Sequence, residues 1–321
     1  MRHVTVAADG SGDCKSIQEA VDRIPDGIVE PTTILVKNGI YREKLFIGKP
    51  FVRLIGEDPA RTIVTFGDHA TKTFPNGEPY HTFNAYTAFI GGDDFTAERI
   101  TFENAAGPGE QVGQALAAYV DADRAVFREC RFLGFQDTLF TGPLPPRPRD
   151  RASFGGPREG APTRPARQYY ERCHIEGDVD FIFGSATAVF DRCDIVSKRG
   201  GWISAPSTPE GVPFGYVFIG CTLIGDAAAR SVYLGRPWRN FAKTVFLDCW
   251  MGEHIHPEGW SRWNASESVA SVEFAEYGNR GPGASDGGTR VDWSRQLTPE
   301  DASLYTVARI LGGDDGWNPS S

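Results

Sequence analysis

Apolar residues along this chain come in short runs. Stretches of three to five, rich in β-branched and aromatic residues, recur at 4–7, 33–36, 51–55, 63–66 and 88–90. Gly, Asn or Asp follows each within a few residues, the pattern of short strands separated by turns. One segment differs. Ser16-Ile17-Gln18-Glu19 has the spacing of a capping box, and Ile17, Ala20, Val21 and Ile24 then repeat with helical period up to Pro25. A short amphipathic helix is expected there, lying as a lid over the open end of a β structure and covering its edge.

From about residue 95 the pattern repeats with residue identity as well as polarity. Ala97-Glu98-Arg99-Ile100-Thr101-Phe102 is echoed by Arg128-Glu129-Cys130-Arg131-Phe132 and Tyr170-Glu171-Arg172-Cys173-His174-Ile175. Phe190-Asp191-Arg192-Cys193-Asp194-Ile195, Phe218-Ile219-Gly220-Cys221-Thr222-Leu223 and Phe246-Leu247-Asp248-Cys249-Trp250-Met251 continue it. The shared position falls at 100, 130, 173, 193, 221 and 249, in steps of 30, 43, 20, 28 and 28. Loose periods of this size, with a short strand in each, mark a solenoid. The reading is all-β: a right-handed, single-stranded parallel β-helix with an N-terminal capping helix and a C-terminal helical tail. A β-sandwich with regular turns would explain the polarity but not the repeated identities.

The same repeat bears on the cysteines. Coils stacked ~4.8 Å apart put Cys130, Cys173, Cys193, Cys221 and Cys249 in one interior ladder, where a thiol packs as a small apolar group. That reading is preferred to disulfides. The long 43-residue step holds a non-periodic stretch at 142–167, rich in Pro, Gly and Arg. It is expected to be a surface loop close to the site, either gating substrate or forming an inert excursion. Thr298-Pro299-Glu300-Asp301 starts a helix with Pro in its first turn. That helix should run to about residue 311, and the tail 264–321 should pack on the side or end of the solenoid. The whole of 1–321 is expected to form one domain.

Composition narrows the function. Apolar residues are 40% and charged residues 23%, as in a globular chain. A net charge of -9 argues against a nucleic-acid partner. No apolar run approaches the ~18 residues of a membrane helix. The start, Met1-Arg2-His3-Val4-Thr5-Val6, lacks an export signal, so the expectation is a cytoplasmic chain or else a processed extracellular one. No Cys-x-x-Cys pair is present and the histidines are scattered, so neither a metal nor another cofactor is expected.

The repeat also allows side chains to be compared across coils. Asp137 lies seven residues after Cys130, and Asp180 seven after Cys173. With the insertion looped out, the two carboxylates share one place on neighbouring coils. Asp180 is 13 residues before Cys193 and Arg236 is 13 before Cys249, which sets Arg236 two coils on, roughly 10 Å away along the backbone stack. A guanidinium beside Asp180 should lower its pKa and hold it ionised as a nucleophile, while that charge raises the pKa of Asp137. Gln136, next to Asp137, and Gln114 are neutral donors suited to an oxyanion hole. Trp238 shares the side of the strand that carries Arg236 and offers a wall for a sugar ring. A structural salt bridge with a turn-capping Asp is the rival reading of the acids, strand capping that of Gln114, and plain packing that of Trp238.

At these residues the chain resembles the pectin methylesterase (pectinesterase) family. The resemblance covers most of residues 4–264. It rests on Ala8-Asp9-Gly10-Ser11-Gly12-Asp13 with Ile17-Gln18-Glu19-Ala20-Val21, on Gly39-Ile40-Tyr41-Arg42-Glu43, and on Gln114-Ala115-Leu116-Ala117. Gln136-Asp137-Thr138-Leu139, Asp180-Phe181-Ile182-Phe183-Gly184 and Leu234-Gly235-Arg236-Pro237-Trp238 complete the set. It implies a right-handed parallel β-helix, a metal-free ester hydrolysis and methylated homogalacturonan (pectin) as the partner, met outside the cell if this is a mature form; a monomer is expected. By the same resemblance Asp180 is the nucleophile, Asp137 the general acid/base, Gln114 and Gln136 the oxyanion donors, and Arg236 the residue orienting Asp180. Trp238 contacts substrate, and Val179 and Phe183 line the cleft. Cys14 departs from the family pattern, where an aromatic is usual, and residues 142–167 and the tail beyond about residue 264 are not matched to it. An esterase or thioesterase acting on another substrate, and a non-catalytic polysaccharide-binding β-helix, are the alternatives. The acidic pI of 5.3 adds an expectation that polyanionic product is repelled, giving scattered rather than run-on de-esterification.

Overall fold

The computed structural model describes residues 2–285 and 288–320. Its strands stack in parallel register into an eleven-stranded sheet and a second, branched sheet that forms the other faces of a β-helix. One coil shows how the chain winds. Ala125–Arg128 lies on the first sheet, Arg131–Leu133 on the second, and Leu139–Thr141 on a third face. The next coil repeats this with Arg167–Glu171 and the long strand His174–Gly184, which bends across the second and third faces.

The echo in the sequence corresponds to a corner. The residue before each echoed position has a left-handed backbone: Arg99 at φ 53°, Glu129 at 53°, Arg172 at 49°, Arg192 at 53°, Gly220 at 59° and Asp248 at 53°. The chain turns there from the first sheet to the second, and the next side chain drops into the interior. All the cysteines are free and buried. Cys193 donates its thiol to the Tyr170 carbonyl one coil back at 3.3 Å, and Cys221 to that of Phe190 at 3.1 Å. Three residues before each ladder cysteine sits an aromatic ring. Phe127, Tyr170, Phe190, Phe218 and Phe246 are in strict register. Successive ring centroids are 4.9, 4.8, 4.5 and 4.3 Å apart. Rings of this size carry much of a core's buried apolar area, so one repeating pattern builds both the corner and the stack that holds coil to coil.

The expected lid is present as helix Ile17–Asp22. Ser16 accepts from the Glu19 amide at 3.2 Å, and Ile17, Ala20 and Val21 are buried against the first coil. The tail differs from expectation. In place of one helix to residue 311 there are two short ones, Pro299–Ala302 and Val307–Leu311. The first ends at Ser303, and Thr306 is extended and accepts from the Arg309 amide, so it caps the second. The break turns Ile310 and Leu311 inward onto Val126, Tyr169, Val189 and Val217, on the outer face of the eleven-stranded sheet.

Candidate active site

The motif Gly177-Asp178-Val179-Asp180 depends on close packing. A Cβ on Gly177 would stand 2.2 Å from the Cβ of Phe181 and 2.5 Å from the Phe135 carbonyl oxygen, so only glycine fits. Strand pairing sets Leu139 opposite Ile182 and Phe140 opposite Phe183, and two residues earlier Asp137 stands opposite Asp180. The match inferred from cysteine spacing therefore holds. The Asp137 amide donates to the Val179 carbonyl at 3.0 Å, which ties the two acidic turns together. Both aspartates have left-handed backbones, φ 63° at Asp137 and φ 50° at Asp180, a conformation Asp tolerates better than most residues. On the following coil Val179 pairs with Trp202 and Ile182 with Ser204. Three steps on one strand face two on the other. This is a bulge containing Asp180, a device that re-aims a side chain.

Arg236 lies two coils on from Asp180, past the strand Asp194–Pro206, as the 13-residue spacing implied, but its register along the strand is corrected. Gly235 pairs with Ser204, and Ser204 with Ile182, so Arg236 falls in the column of Phe183 and Ala205 rather than that of Asp180. Unequal turns between coils shift the count. The side chain nevertheless reaches back: Nε donates to Asp180 Oδ1 at 2.9 Å and Nη2 to Oδ2 at 2.6 Å. This two-point fork orients the carboxylate as well as neutralising it.

The aspartates are almost out of water, Asp137 8% and Asp180 5% exposed. Burial, and then the charge of Asp180, push the Asp137 carboxyl well above the usual carboxylate range, with Arg236 opposing. Asp180 is also raised, by burial, against the two hydrogen bonds and the charge of Arg236. The expected lowering of Asp180 is thus corrected: desolvation outweighs the guanidinium. The division between the acids survives, because Asp137 is raised further. A stability prediction follows with its sign. A carboxyl whose folded pKa lies above its unfolded value favours the fold below that unfolded value and loses the advantage as pH rises through the folded pKa. Asp137→Asn should therefore melt higher than the wild type at neutral pH, with the gap closing towards pH ~4, near an unperturbed Asp. A gap independent of pH would refute the assignment.

These groups open into a cleft of about 380 Å³ that also receives Gln114 and Gln136. Both glutamines are half-buried. Trp238 forms a wall, edge-on to Phe183 at 5.7 Å and to Phe154 at 6.4 Å. Phe183 lines the cleft but is only 4% exposed, so it backs Trp238. Val179 is not among the lining residues. It stands in register with Trp202 on the next coil, and its carbonyl accepts from the Asp137 amide.

Other residues at or behind the cleft are not named in the sequence reading, which expected only that the 142–167 loop lies close to the site. The Arg236 guanidinium lies over the rings of Trp202 at 3.7 Å and Trp263 at 4.2 Å, and Trp202 is oriented by its Nε1 donating to Ser261 Oγ at 2.6 Å. His81, Thr82 and Phe83, around helix His81–Asn84, close one side. The 142–167 loop supplies Pro148, Arg149, Asp150, Arg151 and Phe154. It is pinned: Arg149 pairs with Glu267 at 2.9 Å, Arg158 with Asp121 at 2.5 Å, and Phe154 meets Phe83 edge-on at 5.3 Å. Apart from Trp202, which sits on the strand Asp194–Pro206, none of these residues lies on a repeated strand. The Pro- and Arg-rich composition of the loop was their one available signal.

The Pectinesterase family model matches residues 3–144 and 151–314. Pectinesterase 31 of Arabidopsis thaliana is 37% identical over 316 residues, covering 95% of this chain and 90% of its own. Among solved structures, a pectin methylesterase from carrot superposes with a TM-score of 0.81 at 29% identity, covering 98% of this chain and 94% of its own. A pectin methylesterase in complex with a hexasaccharide gives 0.80 at 28% identity, covering 99% and 98%. With that agreement over nearly its full length, added to a β-helix that brings the paired acids to one cleft, the chain belongs to the pectinesterase family.

Proposed function

We propose that this protein hydrolyses the methyl esters of galacturonate units in pectin, releasing methanol. The observation that carries the reading is the two-point Arg236–Asp180 fork beside Asp137, its partner in register on the adjoining coil. Ionised Asp180 attacks the C6 carbonyl carbon. The oxyanion takes hydrogen bonds from the side-chain amides of Gln114 and Gln136. As the intermediate collapses, the C6–O bond breaks and the Asp137 carboxyl gives its proton to the methoxy oxygen, so methanol leaves. Asp137, now a carboxylate, takes a proton from water, and the hydroxide attacks C6 of the acyl-enzyme. That step frees the galacturonate acid and regenerates Asp180. Family membership and a hexasaccharide-bound structural relative support a carbohydrate polymer as substrate over a thioester. Such a polymer is met outside the cell, which supports an extracellular site of action.

The test is methanol release from pectin, with an acyl-thioester as control. Binding of pectin without methanol release would overturn the reading. Removing one oxyanion donor, as in Gln114→Ala, should raise the barrier by about 3 kcal/mol, seen as a ~10²-fold or greater fall in kcat. A loss of only a few-fold would assign Gln114 to packing.

A further inference from the structure

The 142–167 loop carries a set of arginines with contrasting environments. Arg149 holds Glu267, Arg158 holds Asp121, Arg164 holds Asp93, and Arg167 holds Asp123 and Asp315. Arg151 has no ion pair with any described residue, yet it is half-buried and lines the cleft. It is close enough to Asp137 and His81 to act on the charge of each without contact. Its neighbours on the loop are fixed on both sides, by Arg149 against Glu267 and by Phe154, 6% exposed, in the aromatic cluster under the cleft. Gly156 seals the second anchor: its backbone has φ +85°, and a Cβ there would stand 2.4 Å from the Phe83 carbonyl oxygen. A cation partly removed from water without a counter-ion is unfavourable, and burial lowers the Arg151 pKa against the pull of Asp150 and Asp137. A carboxylate arriving with the substrate would relieve that state.

We infer that Arg151 binds the free carboxylate of a galacturonate neighbouring the one whose ester is cleaved, and so makes this enzyme prefer partly de-esterified pectin. The inference rests on the esterase reading above and adds a specificity determinant to it. Polygalacturonate carries one carboxyl per sugar, and a planar guanidinium grips a carboxylate at two points. Each cleavage creates a new free acid beside the next ester. A cation reading that acid drives run-on cleavage, the opposite of what the overall charge of -9 suggests. Contact with one fixed cation in the cleft outweighs a diffuse field that salt screens within about 8 Å.

Initial methanol release is measured on fully methylated homogalacturonan and on the same polymer randomly de-esterified to about half, for the wild type and for Arg151→Gln. The readout is the ratio of kcat/KM on the half-free polymer to that on the methylated one, both assayed on one preparation, so partial misfolding cancels. The wild-type ratio should exceed unity, and Arg151→Gln should lower it roughly tenfold, as expected for one charge-assisted contact. Arg151→Lys should recover part of the loss. NMR of the products should show runs of free acid for the wild type and scattered acids for Arg151→Gln. An unchanged ratio in Arg151→Gln, or a wild-type ratio at or below unity, overturns the inference and leaves the esterase reading standing. No methanol from either polymer with the wild type would overturn both.

Discussion

Asp180→Asn should release essentially no methanol from pectin, a fall in kcat on the order of 10⁴ or more, as for loss of a nucleophile elsewhere. The amide has the shape of the carboxylate, so the bulge around residue 180 and the glycine packing at 177 need not change. What changes is chemistry. Neutral Asn has no oxygen able to attack C6 and form an anhydride. It also removes the charge that lifts Asp137, so the acid group should titrate lower in the variant. The measurement is methanol release alongside a thermal melt. A variant that melts as the wild type does and still turns over within tenfold of it would remove Asp180 from the nucleophile's role.

Arg236→Ala should damage both activity and stability, each with its own pH signature. The guanidinium is all that opposes desolvation at Asp180. Without it the carboxylate pKa climbs further, and the acid limb of the pH–rate profile moves to higher pH. The protonated share of the nucleophile then rises, and the rate at fixed pH should fall by up to about tenfold for each unit of displacement. Stability follows the same titration. With Asp180 raised above its unfolded value, the fold is favoured at low pH and loses that advantage as pH rises through the folded pKa. Leaving the carboxylate ionised and unpaired would cost about 3–5 kcal/mol, so the gap from the wild type should be smallest in acid and widen above neutrality. The rings of Trp202 and Trp263 lose their cation at any pH, which adds a pH-independent deficit. Arg236→Lys keeps the charge but not the fork and should fall between the two. An Arg236→Ala profile with an unmoved acid limb would show that Asp180 is held ionised by something else.

The two acids were legible because each lies a fixed distance beyond a repeated corner. Asp137 and Asp180 follow Cys130 and Cys173 by the same seven residues, and the intervening backbone is alike in both coils. Arg236 was legible as a partner but not in register. Its spacing was counted backwards from Cys249 through a turn whose length differs from that before Cys193, and the bulge at Asp180 added a further residue. The direction of the Asp180 pKa was misjudged for a related reason. A charge pair can be proposed from sequence, whereas the depth of burial that outweighs it depends on every segment closing over the site.

A repeat speaks through nearest-neighbour contacts, which is why this sequence determined the solenoid by itself. Each corner, cysteine and aromatic ring meets its counterpart one coil away, so local spacing is also spatial spacing. The walls of the cleft have no such rule. Trp263, the pinned 142–167 loop and Arg151 reach the site through ion pairs and ring contacts between residues far apart in the chain. Only tertiary packing decided where they stand, because a non-periodic segment takes its position from the surface it lands on.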